Sequence, residues 1–536
     1  MIEKAVDYLV NLISPKAGVE RAKARMIMRK YAGAKSAHWT PNNADAVSGR
    51  YPRTINDEID QSIEVMTQRV LALVRDFPVF AGAVTNTENF VVGDGFRPQV
   101  MVVGSDGEMN IDVSQAIEDA FVTWASDPNQ VDFAGRKTFW EFTSLTERQE
   151  MEFGEFLLRK HAVKNKGIKG LQIQELEPSD LSSNRGTVAG IQTKGNKHIW
   201  RGVEYDPVSL RSTKYHITTN TDIFGAVTTI PVTADMIYHH FKPLRGKQLR
   251  GVTPFASCIL MADMVQDYMQ SELAAQNMAS RFVAFCTSPQ GTGNFGASDK
   301  AKVDEIFNKI AEAAEYTTVR YLPFGEEFEV NTQQRVPDGM ISFSDLVLKY
   351  LAVAITLPFE IVSQNYSELN FSILKAKRND FKQQLKPRWK RKIQHFCQPV
   401  FTDWLKYEML INGGKNINRD REYLPLVEYL KNPARYNKVV WIPPGLQKID
   451  PLKETQAEIL QVMAGMKSIQ RVIKEAGDDP DSILKEIVSW AQKLDEEGVI
   501  LPGLSQIASS HSVLNMTNLI EAKEEEPQEP EEDGTD

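Results

Sequence analysis

The sequence predicts an α+β protein, and three stretches carry that expectation. A helix is expected from about Asn56 to Phe77, where Ile55, Ile59, Ile63, Met66, Val70, Val74 and Phe77 recur at helical spacing. Between Gly154 and Val232 the pattern changes to short apolar runs separated by Gly, Pro, Ser and Asn, which reads as an antiparallel, strand-rich unit. After Thr253 the chain returns to long helical patterns.

The first helix takes Thr54 with Asp57 as its cap and Pro78 as its stop. A second short helical stretch leads to a tight turn at Gly93-Asp94-Gly95. Residues 111–125 read as helix. Phe156–Leu158, Leu171–Ile173, His198–Val203 and Lys214–Ile217 read as strands.

Thr253-Pro254 opens a helix to about Phe285, with Thr at the cap and Pro at the first helical position. Its expected buried face is Phe255, Ile259, Ala262, Met269 and Leu273. A helix at 299–315 and two strands within 317–330 follow, around Phe324-Gly325-Glu326. A helix from Ser342 stops at Pro358, and a polar loop over 363–370 leads into a long helix from about Ser372 to Leu410. Pro387 and Pro399 are expected to kink it. Three further helices begin near Asp450, Ser468 and Asp481, the second ending at Gly477.

A length of 536 residues suggests two to four structural units. Hydrophobic residues at 42% and charged residues at 25% are ordinary for a globular chain. The formal charge of −9 is unevenly placed. Residues 521–536 hold nine acids and one lysine, leaving 61 Lys and Arg against 62 Asp and Glu elsewhere. The low isoelectric point thus describes an acidic tail, expected to be disordered, and does not exclude nucleic-acid contact. Cys258, Cys286 and Cys397 are far apart and form no CxxC pair, so neither a disulfide framework nor a zinc site is indicated. No stretch reaches the roughly 18 apolar residues of a membrane span, and the first residues lack a signal-peptide layout, so a cytoplasmic origin is expected.

Enzyme signatures are absent. There is no phosphate-loop G-x-x-x-x-G-K-[ST], no G-x-S-x-G and no H-E-x-x-H. No catalytic residue, metal ligand set or cofactor site is expected. His239-His240 is the only histidine pair, and neighbours on a strand face opposite ways, so packing is the expected role.

Positive charge on the long helix is the strongest local feature. Lys375, Lys377, Arg378, Lys382, Lys386, Arg388, Lys390, Arg391 and Lys392 have only Asp380 as a nearby acid in sequence. Arg378, Lys382, Lys386 and Lys390 recur every four residues, beside an apolar stripe of Phe381, Leu385, Trp389, Ile393 and Phe396. Such a helix can pack one face and lay the other along a phosphate backbone; the alternatives are a solvated face or one paired with acids of a neighbouring subunit.

Seven short patterns then resemble, in order, the lambda-like family of phage portal proteins. They are the run Leu71–Pro98; Trp124 through Phe153-Gly154-Glu155-Phe156; Gly202-Val203-Glu204-Tyr205-Asp206; His239–Pro254 with its R-x-x-Q-x-RG-x-x-P; Leu322–Glu326; Asn370-Phe371-Ser372; and Trp441–Lys453. Two depart from the family pattern: Phe371 stands where Tyr is usual, and Phe324 extends a Pro-Gly-Glu turn by one residue.

The resemblance implies a portal fold with a mixed α/β wing, helical stem, small α/β clip and helical C-terminal crown. It maps as arm and wing to 298, stem helix 299–315, clip 316–340, second stem helix 341–357, tunnel loop 358–371, long wing helix and return 372–440, and crown 441–520. It further implies a homo-oligomeric ring of about twelve subunits at one capsid vertex of the virion, closed by a head-to-tail interface. Gln364, Asn365, Tyr366, Ser367, Asn370, Lys375, Arg378 and Lys382 become candidates to touch double-stranded DNA in a channel. Phe324, Glu326, Glu327 and Glu329 become candidates for docking the terminase large subunit at the clip. Head-completion or connector proteins and a major capsid or scaffold protein are the other implied partners, with no membrane. A virion scaffold without a channel role is the alternative, and a nuclease or motor is a third class that the missing motifs disfavour.

Overall fold

The structure is a computed structural model that describes residues 54–104, 107–165, 168–181, 192–194, 197–220, 227–281, 285–286, 320–321, 337–366, 370–419, 421–445 and 450–497. The expected helix at 299–315, most of the expected strands at 317–330, Ser367, the candidates Phe324, Glu326, Glu327 and Glu329, and the acidic tail lie outside the described residues. The chain divides into two compact units, one of residues 1–95 with 100–439 and one of 96–99 with 440–536.

The larger unit opens with α1 (Ile55–Asp76). Thr54 Oγ1 accepts from Asp57 N and the Asp57 carboxylate accepts from Thr54 N, the reciprocal cap read from the sequence. Ile55, Ile59, Ile63, Met66, Val70 and Val74 are buried, while Phe77 is half-buried. Pro78 ends α1 and also occupies the first position of α2 (Pro78–Val91), where its missing N–H costs nothing. Then come α3 (Ile111–Ser126) and α4 (Phe139–Glu152). The sequence reading passed over α4, although Thr138 and Glu141 form a second reciprocal cap there.

Among the described residues eight strands follow: β1 (Glu155–Asn165), β2 (Ile168–Leu176), β3 (Gln192–Lys194), β4 (Lys197–Trp200), β5 (Val203–Tyr205), β6 (Ser212–Asn220), β7 (Val227–Thr233) and β8 (Ile237–Phe241). One sheet has the order β2-β1-β8, the other runs β3 to β7 in sequence, and all pairings are antiparallel as expected. The stretch His198–Val203, read as one strand, is a hairpin. Arg201 (φ 46°) and Gly202 (φ 80°) both take the left-handed region that a tight two-residue turn requires. Leu157, Leu176, Leu181, Val203, Tyr215, Ile217, Val232 and Ile237 form a shared core cluster.

Thr253 caps a short 3-10 turn, Pro254–Ser257, and only then does α5 (Ile259–Arg281) begin. Phe255, Ile259 and Ala262 are buried, but Met269 is half-buried and Leu273 is 61% exposed. The expected buried face therefore runs out before the C-terminal half of the helix. Cys258 and Cys397 are buried free thiols.

Next come α6 (Pro337–Ile355), α7 (Phe359–Ser363), α8 (Phe371–Lys392) and α9 (Gln398–Tyr407). Helix α6 begins five residues before Ser342, and the stretch read as a loop from Pro358 contains α7. Between α8 and α9, Ile393–Cys397 forms a π turn in which Gln398 N donates to Ile393 O. The widened turn keeps the helix continuous into Pro399, which has no N–H to give. Phe121, Trp404, Phe401, Phe139 and Phe396 pack ring on ring where α8 and α9 cross α3 and α4.

Two strands the sequence reading missed, Arg97–Val100 and Val439–Ile442, pair with each other and lie mostly in the smaller unit. Each is four residues long, too short for alternation to stand out. Three helices follow as expected: Pro451–Met463 capped by Asp450, Ile469–Ala476 capped by Ser468 and closed by Gly477, and Pro480–Glu496.

Candidate functional site

Helix α8 sorts its cations into two sets. Its apolar stripe packs inward: Phe381, Leu385 and Trp389 are buried, Phe381 meets Phe90 edge to face at 5.3 Å, and Trp389 Nε1 donates to Val91 O at 2.9 Å. That packing carries part of the basic run with it. Lys392 is 2% exposed, with Nζ 3.1 Å from Glu147 Oε2 and 3.3 Å from Glu150 Oε1. Arg388 Nη2 lies 3.3 Å from Glu147 Oε1, and Lys377 pairs with Glu360.

Asp380 is thus not the relevant acid. The counter-charges come from α4, far upstream in sequence, and from α7, 17 residues before Lys377. Burial opposes ionisation of Glu147, but Lys392 and Arg388 outweigh it and hold its carboxyl below the usual range. Glu150 is pushed up, chiefly by burial, with Lys392 opposing and Glu147 adding to the rise.

The second set is Arg378, Lys382, Lys386 and Lys390. Among the described residues none of these forms an ion pair. Lys386 and Lys390 are exposed, and Arg378 and Lys382 are half-buried. A spacing of four residues sets them about 6 Å apart along one side of the helix. Lys375, upstream, is half-buried and already engaged by protein groups.

Ahead of α8, Gln364, Asn365 and Tyr366 are exposed. Gln364 sits at φ 55° and its Nε2 donates to Ile361 O at 2.9 Å. Asn365 N donates to Ser363 Oγ at 3.2 Å. Asn370, read as a channel contact, caps α8: its Oδ1 accepts from Ile373 N at 2.9 Å.

A second cluster was not anticipated as one site. Glu155, the glutamate of the Gly154-Glu155-x-x pattern, is 1% exposed at the start of β1. Its Oε1 accepts from Arg250 Nε at 2.6 Å, and its Oε2 accepts from Gly251 N at 2.6 Å and lies 3.0 Å from His239 Nε2. Arg250 also donates to Arg201 O and Pro178 O, each at 2.8 Å. Arg201, on the tight turn, reaches back to Asp60 and Glu64 of α1. Two of the seven sequence patterns thus meet in one buried network, joined by Arg201, the residue just before a third.

Burial raises the Glu155 carboxyl, but Arg250, His239 and Gly251 N overcome it and hold it at about 2. Both carboxylate oxygens of Glu155 are engaged by protein groups, so the arrangement is a structural tie. The clue in the sequence was an acid and an arginine each flanked by glycine, which lets backbones approach closely.

His239 and His240 do face opposite ways. His240 stacks on His395 at 3.7 Å, and burial with His395 and Lys392 nearby lowers it to about 3. Among the described residues no group of His, Cys, Asp and Glu has metal-holding geometry, and no helix is long and apolar enough to cross a membrane.

The profile described as "Phage portal protein, lambda family" matches residues 43–388. The chain is 22% identical over 285 residues to the portal protein of Escherichia phage N15, covering 50% of this chain and 53% of that one. It is 21% identical to portal protein B of Escherichia phage lambda, covering 50% and 52%. Each match spans about half the length of those relatives. A probable portal protein of Halomonas phage phiHAP-1 is 22% identical over 84% of this chain and 83% of its own. A chain from the neck of a native gene transfer agent particle aligns at 11% identity and a TM-score of 0.37, over 76% of this chain and 92% of that one.

Proposed function

The chain belongs to the lambda family of phage portal proteins, and from that membership we propose that it is a structural ring subunit at one capsid vertex, a passive channel for double-stranded DNA in packaging and ejection. The single observation that carries the reading is the family match across residues 43–388, which takes in six of the seven sequence patterns. Packaging energy then comes from a separate terminase, whose large subunit docks at the clip around Phe324, Glu326, Glu327 and Glu329. Head-completion or connector proteins use the same end later, and a major capsid or scaffold protein surrounds the ring.

The sorted cations of α8 suit a conduit. A channel must accept any sequence and let it slide, so its contacts go to phosphates. Each neutralised phosphate adds affinity, and a ring repeats every side chain about twelvefold by family symmetry. Pairing Lys377, Arg388 and Lys392 with protein acids leaves a thinner row to face DNA. In this reading Gln364, Asn365, Tyr366 and Asn370 line the narrow point, with Lys375 and Arg378 just behind, and Ser367 and Lys382 are further candidates to touch DNA.

Native mass spectrometry of the purified chain, with negative-stain images, tests the reading. A closed ring of about a dozen copies with a hole wide enough for duplex DNA is expected. A ring without such a hole would favour a virion scaffold that binds an acidic partner through α8.

A further inference from the structure

Helix α7 is five residues long and has left-handed residues on both sides, Thr356 (φ 58°) and Gln364 (φ 55°). Thr356 N donates to Val353 O at 3.3 Å and Leu357 N to Ala352 O at 3.0 Å, so Thr356 fills the position at the end of α6 that usually takes glycine. A β-branched residue there is strained, and a helix this short has little stability of its own. Such a backbone persists only where its surroundings determine it.

Three contacts do so. Asn86 Nδ2 donates to Ile361 O at 3.1 Å. The Lys349 ammonium lies 5.3 Å from the centre of the Phe359 ring. Glu360, 6% exposed, pairs with Lys377 of α8. This last contact spans 17 residues of chain and ties the two helices on either side of the polar segment together. A buried carboxylate stripped of its cation is costly, so the pair constrains α7 more than a surface ion pair would. Helix α8 does not depend on it, since Phe381, Trp389, Arg388 and Lys392 anchor α8 farther along.

We propose that Glu360 and Lys377 are positioning residues that hold Gln364, Asn365 and Tyr366 in a fixed place against α8. The purpose rests on the channel reading; the geometry does not.

Tyr366 is 49% exposed and offers a direct readout, because chymotrypsin cuts after aromatic residues. Cleavage after Tyr366 in the full chain is followed by mass spectrometry. Glu360→Gln and Lys377→Met are each expected to speed it on the order of fivefold while the main thermal transition stays within a few degrees. Glu360→Lys combined with Lys377→Glu is expected to restore the parental rate. Unchanged cleavage in both single variants overturns the proposal, and so does a swapped pair that is cut as fast as the single variants. If the single variants do not fold, the swapped pair against the parent decides alone: a parental rate supports the proposal and a faster one overturns it. DNA retention by assembled rings is measured on the same proteins. Faster cleavage with unchanged retention keeps the positioning role and overturns the channel reading instead.

Discussion

Glu155 and Arg250, 95 residues apart, form a buried pair at 2.6 Å that joins the start of β1 to the segment leading into α5. Removing one partner strands the other charge out of water, so Arg250→Leu is expected to cost about 3–5 kcal/mol. Glu155 is held at about 2 when folded, against 4.5 in the free group. Its contribution is therefore present above about pH 4.5 and fades as pH falls towards 2. Denaturant titrations of parent and Glu155→Gln across that range check this: the gap between them should narrow as the pH drops. A constant gap would mean that packing, not charge, dominates the site.

Gly154 and Gly251 allow that pair to form. A Cβ on Gly154 would lie 2.1 Å from Val252 C, at a φ of +85°, and one on Gly251 would lie 2.3 Å from Gly154 O. Neither obstacle is a flexible side-chain end. Gly154→Ala is expected to destabilise by at least about 4 kcal/mol, by overpacking and backbone strain together. Soluble yield and the thermal midpoint report it, and a normal midpoint would show that the two backbones separate more easily than their spacing implies.

Glu88 titrates in the physiological range. Burial raises it to about 7 despite Arg148, with Glu152 and Glu147 adding to the rise. The folded protein keeps this proton up to about pH 7 and the unfolded chain only to about 4.5, so stability falls as pH rises through that interval. Glu88→Gln removes the penalty. It is expected to be more stable than the parent at pH 8, on the order of 1–3 kcal/mol, and equal to it near pH 4. Paired thermal melts at the two pH values measure the difference.

Thr356 occupies a left-handed position that glycine fills without steric cost. Thr356→Gly is expected to stabilise the chain by about 1 kcal/mol if the relieved strain exceeds the added unfolded-state freedom. Equilibrium unfolding in urea gives the sign, and destabilisation would mean that the threonine methyl contributes more packing than its backbone costs.

The exposed row on α8 makes a salt-dependence prediction. Lys382→Glu with Lys386→Glu is expected to weaken DNA association uniformly across sequences and to lower the salt slope by roughly two. Lys392→Glu is expected instead to damage folding, because Lys392 faces Glu147 and Glu150 in the interior. An unchanged salt slope in the first variant would remove α8 from the DNA path.

The segments legible in the sequence were those whose cause is local. The Thr54–Asp57 cap, the stripe of α1, the caps at Asp450 and Ser468 and the glycine stop at Gly477 each depend on residues within a turn or two, and the structure has them. Helix α4 was equally local, capped by Thr138 and Glu141, and its signal lay in the stretch between the helix at 111–125 and the strand-rich unit from Gly154. Leu273 misled for the opposite reason: its helical spacing is right, but burial needs a neighbouring element, and among the described residues none covers it.

Periodicity determined the α+β class, the stripe of α1 and the basic row, because side-chain direction follows from spacing alone. Tertiary structure alone decided which cations of that row remain for a partner. Coulomb pairing depends on distance in space, and the acids that neutralise Lys377, Arg388 and Lys392 come from α7 and α4, up to some 245 residues away along the chain. The same holds for Glu155 and Arg250, whose partnership exists only because two glycine-flanked backbones fold against each other.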